Sequence, residues 1–349
     1  MHVLFFVTRV KENGGGSHKN IAEIANFLRT QGHEVTLEPL YPAAEGFSFS
    51  RLQSYIVQRL RTLSENADVC FLYGHVFLWA AGKFRKRGGH VPVVVYVDNY
   101  LDSMALSDRG QSRFRSFKLR AWEKIFGLRS ITAIDTVCYV SPYLKGKYLE
   151  HGFPDKRCEI IPNLFTLPHV VRQTVPGRVL AVGRFVKDKG MDVLIEALSA
   201  TTLPYEAHII GDGPERENLS RRIEEKGLSN KIRLYQWMEQ SGLSKEYGEA
   251  EIYVHSARWP EPFGRTIVEA MHAGVPVVVP EEGAAAWVAG AGGATFKNGD
   301  TASLQASIVS LLEDVQLRNS LSKRVEERSM EFDAETIGSR LIQVLKRVS

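Results

Sequence analysis

Short apolar runs alternate with amphipathic stretches along this chain, and the alternation stops once and then restarts. Residues 3–7, 35–40, 68–72, 93–97 and 136–140 read as buried strands, with helical spacing over 20–30, 53–63 and 112–126 between them. Ile160-Ile161-Pro162-Asn163 ends a further strand, and 166–177 is polar and bears proline. Strands then resume at 178–182, 207–210, 232–235, 252–254 and 276–279, with helices over 191–199, 215–226, 302–313 and 336–347. Strands without a polar face, joined through helices, dictate parallel sheets covered on both sides. The expectation is a tandem of Rossmann-like domains, 1–165 and 178–330, with 166–177 as linker and 331–349 as a closing helical segment. Open parallel sheets bind ligands beyond the carboxyl ends of their strands. Residues that directly follow strands therefore carry the functional reading.

Composition narrows the class. The 349 residues are 44% hydrophobic and 24% charged, as in a soluble globular protein. MHVLFFVTRV lacks the pattern of a signal peptide, and no apolar run reaches the ~20 residues needed to span a bilayer. Cys70, Cys138 and Cys158 are widely spaced, which fits reduced thiols in a cytoplasmic protein. Residues 1–170 hold 22 Lys and Arg against 15 Asp and Glu; residues 171–349 hold 22 against 25. The basic first half fits either an anionic partner or chance scatter. The segment 112–126, SRFRSFKLRAWEKIF, reads either as a core helix with a solvated basic face or as a peripheral contact with an anionic membrane.

Three constellations follow strands. Asn13-Gly14-Gly15-Gly16-Ser17-His18 precedes the first helix, and its glycines allow close backbone approach to a phosphate or sugar. It is neither the G-x-G-x-x-G fingerprint nor a P-loop. Gly183-Arg184-Phe185-Val186-Lys187-Asp188-Lys189-Gly190 sets a guanidinium fork and an ammonium just beyond a strand. In WPEPFGRTIVEAMHAG, Glu261 and Glu269 stand eight positions apart, with Pro262 and Gly264 suited to the start of a helix. Fully helical, that spacing spans roughly 12 Å. Taken alone, the pair fits a surface helix with two solvated glutamates. It also fits one elongated ligand with hydroxyls at both ends and phosphate at the helix start, the layout of a nucleotide-sugar.

In this order the Gly-rich loop, YVSPYLKGKYLEHG, IIPN, VGRFVKDKG, IIGDGP and EPFGRTIVEAMHAGVPVVV resemble the retaining glycosyltransferases of family 4, whose fold is GT-B. The resemblance implies an α/β architecture of two Rossmann-like domains facing across a cleft, with a C-terminal helix crossing back to the first. It implies that Arg184 and Lys189 hold the donor diphosphate and Glu269 the ribose hydroxyls. Glu261 and the backbone around Phe263 and Gly264 hold the transferred sugar, and Arg265 and Thr266 offer helix-start amides. Gly15 and Gly16 approach the diphosphate from the other domain. Gly211, in IIGDGP, joins the donor-binding set, and Trp237 shapes the base pocket. Where family members often carry a histidine, VVVYVDNY has Asp98 and Asn99; His75, in LYGHVF, follows the preceding strand. Asp98 and His75 are thus the polar groups expected nearest the reacting carbon. IPN-Leu164 and the Ala-rich 281–293 also depart from the family pattern.

The implied reaction moves a sugar from a UDP- or GDP-linked donor to a hydroxyl acceptor, whether glycan, lipid-linked or small molecule, with retention. The leaving diphosphate takes the acceptor proton, and the cations stabilise it. No D-x-D occurs, so no metal or other cofactor is expected, and neither is nucleic acid. A nucleotide-sugar epimerase or phosphorylase on the same fold, or a non-catalytic nucleotide-sugar-binding protein, are the alternatives.

Overall fold

A computed structural model describes residues 1–9, 16–101, 127–166 and 170–349. Gly15 and the segment 112–126 lie outside the described residues. The chain forms two compact units, Met1–Phe165 with Ala334–Ser349, and Thr166–Asp333.

The N-terminal unit is built on β1 (His2–Val7), β2 (Glu34–Pro39), β3 (Val69–Tyr73), β4 (Val93–Val97), β5 (Thr136–Tyr139) and β6 (Cys158–Ile160). They form one sheet in the order β2-β1-β3-β4-β5-β6, every pair parallel. β3 and β4 are buried at every position, which is why their sequences show no polar alternation. The second unit holds β7 (Arg178–Val182), β8 (Glu206–Ile210), β9 (Ile232–Tyr235), β10 (Ile252–Val254), β11 (Val277–Pro280) and β12 (Gly293–Phe296). Their order is β12-β11-β10-β7-β8-β9, again all parallel. In each sheet the winding reverses once, between β1 and β3 and between β7 and β10. At such a switch point the two adjacent strand-end loops part to opposite faces and leave a crevice.

Several elements differ from the sequence expectation. The first helix, Gly16–Thr30, starts ahead of 20, so Gly16, Ser17 and His18 form its opening turn and not a loop. Helix Val315–Ser329 escapes pattern reading because only Leu321, Val325 and Ser329 are buried along it. Its start is nonetheless marked by Asp314, whose side chain accepts from Leu317 N at 2.9 Å. Helix Gln240–Glu249 and the short strand β12 were likewise not expected. Residues 170–177, expected as linker, are tied into the second unit: Arg172 Nη1 donates to Ala250 O at 2.8 Å and Gln173 N to Gly248 O at 3.0 Å. Among the described residues no helix is long and apolar enough to cross a membrane.

The closing helix Ala334–Val348 is part of the N-terminal unit. Ala334 N donates to Phe165 O at 3.0 Å, and Arg340 and Arg347 reach Ile160 O and Glu159, each at 2.6 Å. Gly338 lets the helix sit on the first one: a Cβ there would lie 2.2 Å from the Phe27 ring. Leucine is a strong helix former, so helix propensity alone would make Gly338→Leu stabilising. Overpacking against Phe27 is expected to win instead and to cost about 1–3 kcal/mol, read as a lower denaturation midpoint in urea.

Candidate functional site

The second sheet's switch point brings the sequence motifs together. After β7 the chain runs through a short 3-10 turn, Lys187–Lys189, and bends at Gly190, whose φ is +62°. A Cβ at Gly190 would lie 2.1 Å from Ser256 O, so this loop is pressed backbone to backbone against the loop after β10. Ser256 Oγ donates to Lys189 O at 3.0 Å, and Arg258 N and Trp259 N donate to Asp188 O at 3.0 and 3.2 Å. From the other side, Gly283 packs on the Pro260–Glu261 backbone: a Cβ there would lie 2.8 Å from Glu261 N. Ala284 N donates to Glu261 O at 2.8 Å.

These loops place Lys189 Nζ in an ion pair with Glu261 Oε1. His255, at the end of β10, sets its Nε2 3.3 Å from the same oxygen. Glu261 is buried. Burial alone would raise its pKa, but the Lys189 ammonium and the His255 ring outweigh it and hold the carboxyl well below the ordinary range. The second carboxylate, Glu269, lies inside helix Arg265–His272 and is also buried. Tyr247 donates to Glu269 Oε2 at 3.0 Å, and Tyr253 to Thr266 Oγ1 at 2.7 Å. Burial, then the Glu269 charge, pushes the Tyr247 hydroxyl well above its usual pKa, so it remains a donor.

Gly264, with φ +109°, starts the helix and brings no side-chain cap to its first amides. The Phe263 ring turns away into a cluster with Trp287 and Phe332, at centroid distances of 6.4 and 5.6 Å. Only the backbone at 263 is therefore offered at the helix start. Arg184 is exposed beyond β7. Gly211 abuts this loop, since a Cβ there would lie 1.9 Å from Gly183 O. Trp237, just past β9, is 51% exposed, unusually open for its size.

In the N-terminal unit the carboxyl ends of β1, β3 and β4 gather a second polar set. Asp98 follows β4 and accepts from Ser17 Oγ, in the opening turn of the first helix, at 2.6 Å. Asn20 Nδ2 donates to Tyr73 OH at 3.0 Å, and Leu164 N donates to Asn20 Oδ1 at 2.8 Å. His75 follows β3 after Gly74, whose φ is +121°. Sequence reasoning missed Tyr73, Tyr247, His255 and Gly283, and named Ser17 only as part of the Gly-rich segment. For His255 a signal exists, a His-Ser pair ending an apolar strand beside the loop of Glu261.

Comparison with known proteins fits this arrangement. Residues 14–166 match the family model described as Glycosyltransferase Family 4, and residues 171–328 the model described as Glycosyl transferases group 1. The lipopolysaccharide core biosynthesis glycosyltransferase LpsE of Rhizobium meliloti is 31% identical over 170 residues, 48% of this chain and 49% of the relative. LpsD of the same organism is 32% identical over 202 residues, 55% and 57% of the two chains. The chain thus spans about half the length of the curated relatives it matches. Sucrose-phosphate synthase from Thermosynechococcus elongatus shares the fold with a TM-score of 0.78 at 18% identity, over 99% of this chain and 98% of the other. HepE of Anabaena in complex with UDP does so with a TM-score of 0.76 at 19% identity, over 99% and 100%. With one glycosyltransferase model matching each unit and the fold shared over nearly the whole length, this chain belongs to the glycosyltransferases of the GT-B fold.

Proposed function

We propose that this protein is a retaining, metal-independent glycosyltransferase that moves a sugar from a UDP- or GDP-linked donor to a hydroxyl acceptor. The observation that carries the reading is the meeting of Lys189, Glu261 and the Gly264-led start of helix Arg265–His272 at the β7/β10 switch point. A cation and helix-start amides suit a diphosphate. Buried carboxylates suit hydroxyls, which donate to them.

In this reading Lys189 and the exposed fork of Arg184 bind the diphosphate and stabilise it as it leaves, the main electrostatic contribution to the rate. The backbone amides of Arg265 and Thr266 share that charge. Glu269, oriented by Tyr247, accepts the ribose hydroxyls, and Glu261 with the backbone at Phe263 and Gly264 accepts those of the sugar. Gly211 gives the nucleotide close access, and the open ring of Trp237 lies against the base. The acceptor is assigned to the N-terminal unit, with Asp98 and His75 toward its hydroxyl. No protein nucleophile is invoked; the departing phosphate oxygen takes the acceptor proton as the new glycosidic bond forms on the face the old one leaves. The matched relatives are named for transfer in lipopolysaccharide core biosynthesis, which supports a glycan or lipid-linked acceptor over epimerisation or phosphorolysis.

Lys189→Ala and Glu269→Ala are each expected to abolish transfer, by at least about a hundredfold, with unchanged circular dichroism. Thermal-shift screening against UDP- and GDP-sugars identifies the donor, and undiminished transfer by either variant would overturn the assigned roles. Glu261 yields a separate pH signature. Its folded-state pKa is depressed, so its ion pair contributes fully above the unfolded-state value of about 4.5 and is lost as pH falls toward the folded value. The stability gap between wild type and Glu261→Gln, measured by urea denaturation, should therefore narrow steadily below about pH 4.5.

A further inference from the structure

The Glu261 carboxylate is contacted unevenly. Lys189 Nζ and His255 Nε2 both approach Oε1, while Oε2 accepts no hydrogen bond among the described residues. The two contacts differ in kind. Lys189 makes a hydrogen bond, whereas His255 Nε2, buried and only 3.3 Å away, has none. The imidazole nitrogen lies within reach of the oxygen that the ammonium holds, without a hydrogen bond to it in this arrangement. It is also fixed in place: the residue is 5% exposed, and its backbone N donates to Val278 O at 2.8 Å at the end of β10.

One cation cannot serve two anions fully. A diphosphate drawing on Lys189 strips Glu261 of its ion pair, and a buried carboxylate left unpaired is heavily penalised. We propose that His255 takes over Glu261 Oε1 when Lys189 turns to a diphosphate, so that the lysine is released without orphaning the carboxylate and Oε2 stays open to a sugar hydroxyl. The exchange rests on the reading of this crevice as a diphosphate site. It makes and breaks hydrogen bonds only. A neutral ring with its proton on Nε2 suffices, and no proton need be taken up. His255 is thus a positioning residue that acts on the ligand through Glu261.

The test is a double-mutant cycle with inorganic pyrophosphate as probe, its Kd measured calorimetrically for wild type, His255→Phe, Glu261→Gln and the double variant. Pyrophosphate carries no base or sugar, so donor identity does not enter. With Glu261 present, His255→Phe should weaken pyrophosphate about tenfold, the size of a charge-assisted hydrogen bond. In the Glu261→Gln background no buried charge needs a replacement partner, and the loss should shrink to about twofold or less. His255→Gln, which keeps an N–H donor, should recover part of the affinity, and it replaces His255→Phe in the cycle if the phenylalanine variant does not fold. Equal losses in both backgrounds would show that the ring only supports the loop and would overturn the exchange. Failure of the wild type to bind pyrophosphate at all would overturn the diphosphate reading beneath it.

Discussion

A carboxylate held out of water is the constraint around which the second unit's site is arranged. Glu261 is ionised despite burial only because Lys189 and His255 lie against it. His255 stands close before it in the same strand-end segment, but Lys189 is 72 positions away. Lys189 arrives from the loop after β7, and the rest of the contact from the loop after β10, so only a sheet that places these strands side by side can form it. Continuous apolar strands specify a parallel sheet, the sheet order places the reversal, and the reversal brings the charges together.

Proximity on the ångström scale comes from the backbone. Gly190 against Ser256, Gly211 against Gly183 and Gly283 against Glu261 are contacts in which any Cβ would collide with main-chain atoms. Four neighbouring strand-end loops, after β8, β7, β10 and β11, are therefore locked to one another without side chains between them. The side chains that project from this base inherit its rigidity, as a preorganised electrostatic site requires. The buried hydroxyls of Tyr247 and Tyr253 extend the same rigidity to Glu269 and Thr266.

Much of this was legible in the sequence, for reasons that differ by residue. Strands such as 93–97 and 178–182 stood out because both faces are buried, and the start at Gly264 because proline and glycine bracket it. Lys189 and Glu261 could be assigned to one ligand from family resemblance, but their pairing is a fact of strand order and not of spacing. Helix Val315–Ser329 was invisible because its buried stripe is too thin to show a period. Gly283 matters only through what packs on it across the sheet, which no local pattern encodes, while His255 left just the short signal of a His-Ser pair ending an apolar strand. Gly15 and the basic stretch 112–126 lie outside the described residues, and their readings rest on sequence alone.

The closing helix changes how the molecule must be made. Since Ala334–Ser349 belongs with Met1–Phe165, the unit Thr166–Asp333 is an insertion within the other. Its two junctions lie together, with Ala334 N bonded to Phe165 O. On the ribosome the six strands of the first unit all precede the inserted unit, but the helix that closes it follows the whole insertion. The first helix waits for residues some 300 positions downstream, leaving the Phe27 face uncovered until they emerge. A unit split by an insertion pays the entropy of its longest loop closure only once the insertion has been made. That open interval is where aggregation, chaperone capture and proteolysis would act on this chain.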